Sequence, residues 1–277
     1  MTPKFQSANC VCAIYAASDR NRPNLIGSGI LLDFGKARFL VTAAHVHDEF
    51  LENKVSLYVA AVPFLELPQP FQTTIVPSGK RDDDRLDIAF VRLPDSLADE
   101  ISKTSFFLPF TLIDVNDCFT PQTQYMFTGY PASREKTDYG NHKVKPLRFS
   151  YTGKVIPPTR MPELGIFLDT HIAVEFDSQN IFDENKQPSS FPSPKGMSGG
   201  AVWRGDGDSR LWLTESPVRL VGMAIENPKN QNTLIAVRIH FVLAAIAAFH
   251  PDITQFIPKR FGFANEIKIV QHPGVIK

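Results

Sequence analysis

Short apolar runs separated by polar turns that contain glycine or proline make up most of this sequence. Runs of this length, bounded by turn residues, are typical of β-strands. The strands predicted on this basis are residues 10–16, 27–33, 38–42, 55–62, 86–93, 124–128, 148–156, 165–169, 173–176, 201–203, 218–225 and 233–239. Many short strands with regular turns favour an all-β sandwich or barrel architecture.

Four segments depart from the strand pattern. Residues 43–47 predict a helical turn, and residues 241–249 are apolar throughout and predict one closing helix. That helix is too short to cross a bilayer. Residues 95–119 show no clear periodicity, and residues 178–195, which contain several prolines and serines, predict a mobile surface loop.

Length and charge narrow the class of protein. The 277 residues accommodate two β-barrels of about 100–130 residues each. Lys plus Arg and Asp plus Glu both number 29, so the formal net charge is zero. Without a basic surplus, we expect neither nucleic acid nor an anionic membrane as a partner.

The cysteines and the first residues of the chain indicate the cellular compartment. Three cysteines, Cys10, Cys12 and Cys118, do not form the even set of a secreted disulfide framework. The first residues lack the apolar core of a secretory signal. We therefore expect a soluble protein in the reducing cytoplasm, with buried thiols rather than disulfides.

The strongest chemical signal is the stretch 196–200, which reads Gly-Met-Ser-Gly-Gly. Glycines on both sides of Ser198 allow a sharp turn and close approach of a substrate. A serine hydroxyl needs a base to accept its proton and a third group to orient that base. His45 follows a predicted strand and Asp87 lies in another, so they are the candidate base and orienting carboxylate. The N–H groups of Gly196 and Ser198 are the candidate oxyanion donors.

Three blocks, Thr-Ala-Ala-His at 42–45, Asp-Ile-Ala-Phe at 87–90 and the glycine-rich stretch 196–200, resemble the signature blocks of trypsin/chymotrypsin-like serine peptidases. Residues 220–225 resemble the strand beside the substrate in that family. The similarity runs in order from about residue 8 to about residue 250.

This resemblance implies two antiparallel six-stranded β-barrels, a cleft between them and a C-terminal helix. Residues 1–110 would form the barrel carrying His45 and Asp87, and residues 111–277 the barrel carrying Ser198. In the family these three residues are the general base, its partner and the nucleophile of a serine endopeptidase.

Met197 separates this chain from the secreted members of the family. Those members carry an aspartate before the serine, which receives a new N-terminus after zymogen cleavage. Met197 cannot do so, and no Ile-Val-Gly-Gly start is present. The chain is more similar to the intracellular or bacterial branch, which includes HtrA-like and Glu-specific peptidases, although we expect no room for the PDZ domain that HtrA-like proteins usually add.

The resemblance also places the primary specificity pocket. Its floor would lie near Pro192 and Ser193, where no aspartate supports a preference for Lys or Arg. Ile225 would pack near Asp87. The expected substrate-binding residues are Ser193, Ile225, Glu226 and Asn227.

Other interpretations stay open at this stage. The Gly-x-Ser-x-Gly spacing at 196–200 also fits an α/β-hydrolase elbow, with Asp252 and His272 as formal partners, but the required helix is interrupted by a turn at 205–208. A catalytically silent binding scaffold is another alternative.

Control by a regulatory protein partner and the absence of a cofactor complete the expectations. The loop 178–195 leads into the oxyanion region and could hold it misformed until a partner binds. His45 and His47 form a lone His-x-His pair, which is weak metal evidence. We expect a protein or peptide substrate, and neither metal nor cofactor.

Overall fold

The computed structural model describes residues 7–17, 23–60, 64–69, 71–75, 78–117, 123–134, 136–138, 143–177, 181–182, 188–190, 192–205, 218–225, 232–256 and 269–271. Two curled sheets dominate these residues. The strands of the first sheet are β1 (Val11–Ala17), β2 (Pro23–Asp33), β3 (Arg38–Ala43), β4 (Leu57–Val59), β5 (Leu65–Glu66), β6 (Gln72–Thr74), β7 (Ile88–Arg92), β8 (Leu108–Pro109) and β19 (Ile269–Gln271).

The first sheet has the order β19-β6-β7-β3-β2-β1-β4-β5, and β8 pairs with β2. Every pairing is antiparallel except the short one between β2 and β8. Alternate residues of the strands point inward, and they form the apolar interior that contains Ile14, Leu31, Leu40 and Val91. The last strand, β19, brings the C-terminal part of the chain back to this sheet.

The other described strands form the second sheet and two hairpins. They are β9 (Gln124–Gly129), β10 (Lys136–Asp138), β11 (Lys143–Lys145), β12 (Phe149–Gly153), β13 (His171–Glu175), β14 (Ile181–Phe182), β15 (Pro188–Ser189), β16 (Ala201–Gly205), β17 (Arg219–Ile225) and β18 (Thr233–Arg238). The second sheet is fully antiparallel and has the order β12-β9-β16-β17-β18-β13. The hairpins β10–β11 and β14–β15 lie outside it.

Within the described ranges, three α-helices accompany the sheets: α1 (Ala44–Asn53), α2 (Asp95–Ser102) and α3 (Ile239–Phe249). Short 3-10 helices span Ser7–Cys10, Arg81–Asp83, Phe110–Leu112, Ala132–Arg134, Pro158–Leu164 and Pro251–Phe256. The apolar α3 packs into the cluster between the two sheets, where Phe39 and Phe90 of the first sheet meet Trp203 and Met223 of the second. Seven of its eleven residues are buried, which explains why α3 is almost entirely apolar.

The structure confirms the all-β double barrel with a C-terminal helix. The expected six strands are present in the second sheet, but the first has nine, because short segments such as β5 and β8 add to its edges. Nothing tests the division at residue 110, which stays a prediction. The strand predicted at 165–169 is wrong: Gly165 caps the 3-10 helix Pro158–Leu164 with φ of 73°, and turn structure follows.

Candidate active site

The register between β3 and β7 brings His45 next to Asp87. Ala43 pairs with Ile88, so the residues immediately beyond this pair, at the end of β3 and before β7, come together. The Asp87 carbonyl accepts a hydrogen bond from the Ala44 N–H at 2.9 Å. Two apolar strand patterns, far apart in the sequence, therefore fix the neighbourhood of the two predicted residues.

The Asp87 carboxylate caps α1 and binds the His45 ring at the same time. No side chain of the preceding residue, Ala43, caps this helix. Instead, Asp87 Oδ1 accepts the His45 N–H at 2.9 Å, and Oδ2 lies 2.6 Å from His45 Nδ1. A carboxylate at a helix N-terminus is stabilised by the free N–H groups and the helix dipole. The second hydrogen bond fixes the plane of the imidazole.

The backbone at Asp87 is unusual. Its φ of 48° lies in the left-handed region, which aspartate adopts more readily than most residues but at a cost. The residue is only 6% exposed, whereas 26% of the His45 side chain remains accessible. Strained backbone at a buried carboxylate that faces a partly open histidine is typical of a functional site.

A network of charged residues holds the segment that leads into Asp87. Arg81 pairs with Asp48 on α1 at 2.7 Å and with Asp84 at 2.6 Å. Thr74 Oγ1 donates to Asp84 and accepts the N–H of Ile88 at 2.9 Å. Burial lowers the pKa of Arg81, but the hydrogen bond and charges of the nearby aspartates outweigh it, so the pKa is raised. The charged stretch 80–85 therefore holds the segment before Asp87 in place. The amino-acid composition of this stretch alone did not indicate that role.

The serine loop depends on two glycines with positive φ. Gly196 has φ of 93°, and Gly199 has φ of 83°. A Cβ at Gly196 would lie 2.7 Å from the carbonyl oxygen of Tyr130. A Cβ at Gly199 would overlap the Ser28 carbonyl oxygen and Thr42 Oγ1. Both positions therefore require glycine for conformation and for space.

The close contacts at Gly196 and Gly199 bring Ser198 to one end of the first sheet, the end where His45 lies. The Ser28 N–H donates to the Ser198 carbonyl at 2.8 Å, and Thr42, which Gly199 touches, precedes His45 by three residues. From the second sheet, the Ala224 carbonyl accepts the Gly199 N–H at 2.8 Å. The loop is thus held by both sheets, at the place where they meet.

The candidate oxyanion donors have no acceptor among the described residues. Neither the Gly196 N–H nor the Ser198 N–H donates a hydrogen bond there. The carbonyls on the far side of the same peptide units are engaged: Lys195 accepts from Ala132 at 2.9 Å, and Met197 accepts from Gly200 at 2.9 Å. Backbone N–H groups oriented in this way can bind an anionic oxygen.

The structure gives a partial account of the expected substrate-binding residues. Ser193 is exposed, and Pro192 beside it is buried. Ile225 ends β17, is half-buried and packs against the cluster between the sheets, as does Leu86, the neighbour of Asp87. Glu226 and Asn227 lie outside the described residues.

Met197 contributes to packing. It is 3% exposed and belongs to the apolar interior of the second sheet, with Phe127 and Val202. Its N–H donates to the Pro194 carbonyl at 2.8 Å. A buried thioether at this place anchors the serine loop by apolar contact.

His171 was not among the sequence-predicted site residues. Its Nε2 lies 2.8 Å from the carbonyl oxygen of Arg85, two residues before Asp87, and it is 1% exposed. Since a carbonyl only accepts, Nε2 carries the proton. Burial lowers the pKa of this imidazole, as do the charges of Arg85 and Arg238. His171 therefore joins the second sheet to the Asp87 segment as a neutral donor.

The remaining candidate groups have structural partners. His47 is fully buried, stacks on Phe71 with ring centroids 4.8 Å apart, and contacts Gln69. Across the described ranges, no three His, Cys, Asp or Glu side chains are grouped as a metal site requires. None of the helices described is long and apolar enough to span a membrane.

Comparison with known proteins supports the fold. No protein-family model matches the chain, and neither does any curated protein. Solved structures do match, among them one described as neuropsin, a serine protease expressed in the limbic system of mouse brain. It is 14% identical, with 90% of this chain and 96% of that chain covered and a TM-score of 0.50. At this identity the likeness shows the trypsin-like double-barrel fold alone.

Proposed function

We propose that this protein is a serine endopeptidase, with Ser198 as nucleophile, His45 as general base and Asp87 as the orienting carboxylate. The observation that carries the proposal is the hydrogen bond of 2.6 Å between Asp87 Oδ2 and His45 Nδ1. A proton on Nδ1 leaves Nε2 as the acceptor that a serine nucleophile needs. The adjoining glycine-rich loop supplies a serine with backbone donors around it.

The proposed reaction forms and then hydrolyses an acyl-enzyme. Ser198 Oγ attacks the scissile carbonyl carbon while His45 takes its proton, and the N–H groups of Gly196 and Ser198 bind the oxyanion. His45 then protonates the leaving amine. Water, deprotonated by the same imidazole, releases the acid and restores the serine.

We also propose a reducing compartment such as the cytoplasm and a preference for residues other than Lys or Arg. Cys10 and Cys12 are buried, and burial raises the pKa of both thiols, that of Cys12 to about 12. The expected floor of the specificity pocket, at Pro192 and Ser193, carries no acidic residue that could bind a basic side chain of the substrate. A peptide library with every residue at the cleaved position tests the preference.

A fluorophosphonate probe followed by peptide mapping tests the proposed function directly. We expect covalent labelling of Ser198 in the wild-type protein and none in Ser198→Ala, which should unfold at nearly the same temperature. Labelling of another residue would contradict the assignment. A folded wild type that resists both probe and peptide libraries would favour the binding-scaffold alternative.

Control by a protein partner stays part of the proposal and has its own test. Peptidase activity is measured with and without a candidate partner at equal enzyme concentration. Full and equal activity in both samples would remove the switch.

A further inference from the structure

Ser28 lies at the centre of the contacts between the first sheet and the serine loop. It is completely buried in β2 and stands between Gly27 and Gly29. A Cβ at Gly27 would lie 2.7 Å from the Val46 side chain, so α1 packs directly on this part of the strand. Small residues within a strand mark a close approach of other backbone. Here α1 and the serine loop both approach it.

The Ser28 hydroxyl uses both its donor and its acceptor capacity on the second half of the site. It donates to the Gly196 carbonyl at 2.8 Å and accepts the Tyr130 N–H at 2.9 Å. Its partners are 168 and 102 residues away in the sequence. One buried hydroxyl thus ties two separate loop segments together.

The Ser28 backbone adds two more hydrogen bonds at the same place. Its N–H donates to the Ser198 carbonyl at 2.8 Å, and its carbonyl accepts from Thr42 Oγ1 at 2.7 Å. Thr42 leads directly into the helix that begins before His45. Ser28 is therefore fixed on one side by the strand of the candidate base and on the other by the loop of the candidate nucleophile.

The orientation of the candidate oxyanion donor follows from peptide geometry. In a trans peptide the C=O and N–H groups point in opposite directions. Because the Lys195 carbonyl accepts from Ala132, the Gly196 N–H points away from Ala132. On the other side of Gly196, its carbonyl is held by Ser28. The peptide plane before this glycine of φ 93° is thus fixed by one hydrogen bond, from Ala132, and the plane after it by two, from Ser28 and through the Met197 N–H to the Pro194 carbonyl.

We propose that Ser28 is a positioning residue that keeps the segment 195–198 in the arrangement that presents the Gly196 N–H to an oxyanion. The inference deepens the proposed function and rests on it. Glycine has low barriers to rotation on both sides, so Gly196 would leave this arrangement easily without its anchors. The Ser28 hydroxyl removes that freedom from the opposite sheet, and it touches no reacting atom.

Kinetics of Ser28→Ala supply the first test. We expect kcat to fall about 10-fold to 100-fold with KM changed less than about twofold, because the donor acts in the transition state. The matched control is Thr128→Val, which removes a hydroxyl that is equally buried and hydrogen-bonds to Ser150 at 2.9 Å. The control should lose similar stability and keep its kcat. An unchanged kcat in Ser28→Ala would overturn the proposal.

Amide hydrogen exchange supplies a second readout that does not depend on activity. In Ser28→Ala we expect the Ala132 N–H, which binds the Lys195 carbonyl, to exchange at least about tenfold faster, since the loop opens more often. Thr128→Val should leave this amide unchanged. Equal protection of Ala132 in wild type and Ser28→Ala would overturn the proposal, even if wild type proved inactive and the proposed function failed.

A second variant keeps the test decisive if Ser28→Ala does not fold. Ser28→Cys keeps a side chain of similar shape in this buried place, but a thiol is only a weak hydrogen-bond donor and acceptor. The same loss of kcat at nearly constant KM is expected. A fully active Ser28→Cys would show that the Gly196 carbonyl needs no strong hydrogen bond here, and would overturn the proposal.

Discussion

Two histidines contact the same short segment before β7, one from each sheet. His45, beside the first sheet, places Nδ1 2.6 Å from the Asp87 carboxylate. His171, in the second sheet, places Nε2 2.8 Å from the Arg85 carbonyl. The residue type, the segment and the distances are nearly the same, yet the chemical settings are opposite.

The difference lies in what surrounds each ring. His171 is almost completely buried, and its Nδ1 lies 2.5 Å from Thr170 Oγ1, so both ring nitrogens have neutral partners. His45 faces a carboxylate and keeps 26% of its side chain exposed. A carboxylate stabilises the imidazolium that forms during catalysis, whereas a carbonyl in a dry site does so far less. Of the two, only His45 has the setting that proton exchange in the proposed reaction requires, and the following substitutions test this contrast.

The largest expected effect comes from His45→Gln. Glutamine can still donate a hydrogen bond to Asp87 but accepts no proton, so turnover should fall by about 10⁴-fold or more. The melting temperature should change little, because the helix cap by Asp87 uses the His45 backbone. Steady-state kinetics and thermal unfolding measure both quantities. Turnover within tenfold of wild type would remove His45 as the base.

The next effect is expected from Asp87→Asn. Asparagine tolerates the left-handed backbone at this position, but its NH₂ group faces Nδ1 and favours the wrong imidazole tautomer. Turnover should drop by about 10³-fold to 10⁴-fold. Asp83→Asn is the matched control, since it removes an exposed carboxylate from the same loop and should stay within about twofold of wild type. Equal losses in both variants would point to general charge effects.

His171→Leu should show the reverse profile, with a loss of stability and little loss of turnover. Leucine leaves the Arg85 carbonyl without its donor in a dry site, so the free energy of unfolding should fall by about 2–3 kcal/mol. Turnover should fall less than tenfold. Arg85→Ala is the control, because it keeps the carbonyl and removes an exposed side chain whose guanidinium lies over the Phe167 ring. Urea unfolding separates the two, and equal stability losses would contradict the role given to the carbonyl.

The two histidines also show which features of the site could be predicted from the sequence. His45 and Asp87 were predictable because each lies at one end of a clear apolar strand, and because they precede a glycine-flanked serine in the order His, Asp, Ser. The helical turn expected at 43–47 continues to Asn53. It is capped by Asp87, a partner 42 residues from His45, and no local pattern contains that information.

The roles of His171 and Ser28 could not be predicted from the sequence for a related reason. Each acts through hydrogen bonds between sheets, to partners 86 and 168 residues away. In the sequence, only the two glycines that flank Ser28 indicate that other backbone approaches closely at this place. Helix α2 was missed because its eight residues bury only Ala98 and Ile101, too few to show a period.

The smallest effect is a change in how stability depends on pH. Burial is the main cause that lowers the pKa of His171 and of His240, the latter to about 4. The unfolded chain takes up protons near pH 6.5 that the folded protein does not bind, so acidification from pH 6.5 toward 4 should destabilise the protein. In His171→Gln the protein no longer loses stability through protonation of residue 171 in the unfolded chain. The stability gap between wild type and His171→Gln should therefore narrow on acidification, by at most about 1.4 kcal/mol per pH unit. Urea unfolding at pH 7, 6 and 5 measures the gap, and parallel curves would show that His171 is charged as easily in the folded protein as in water.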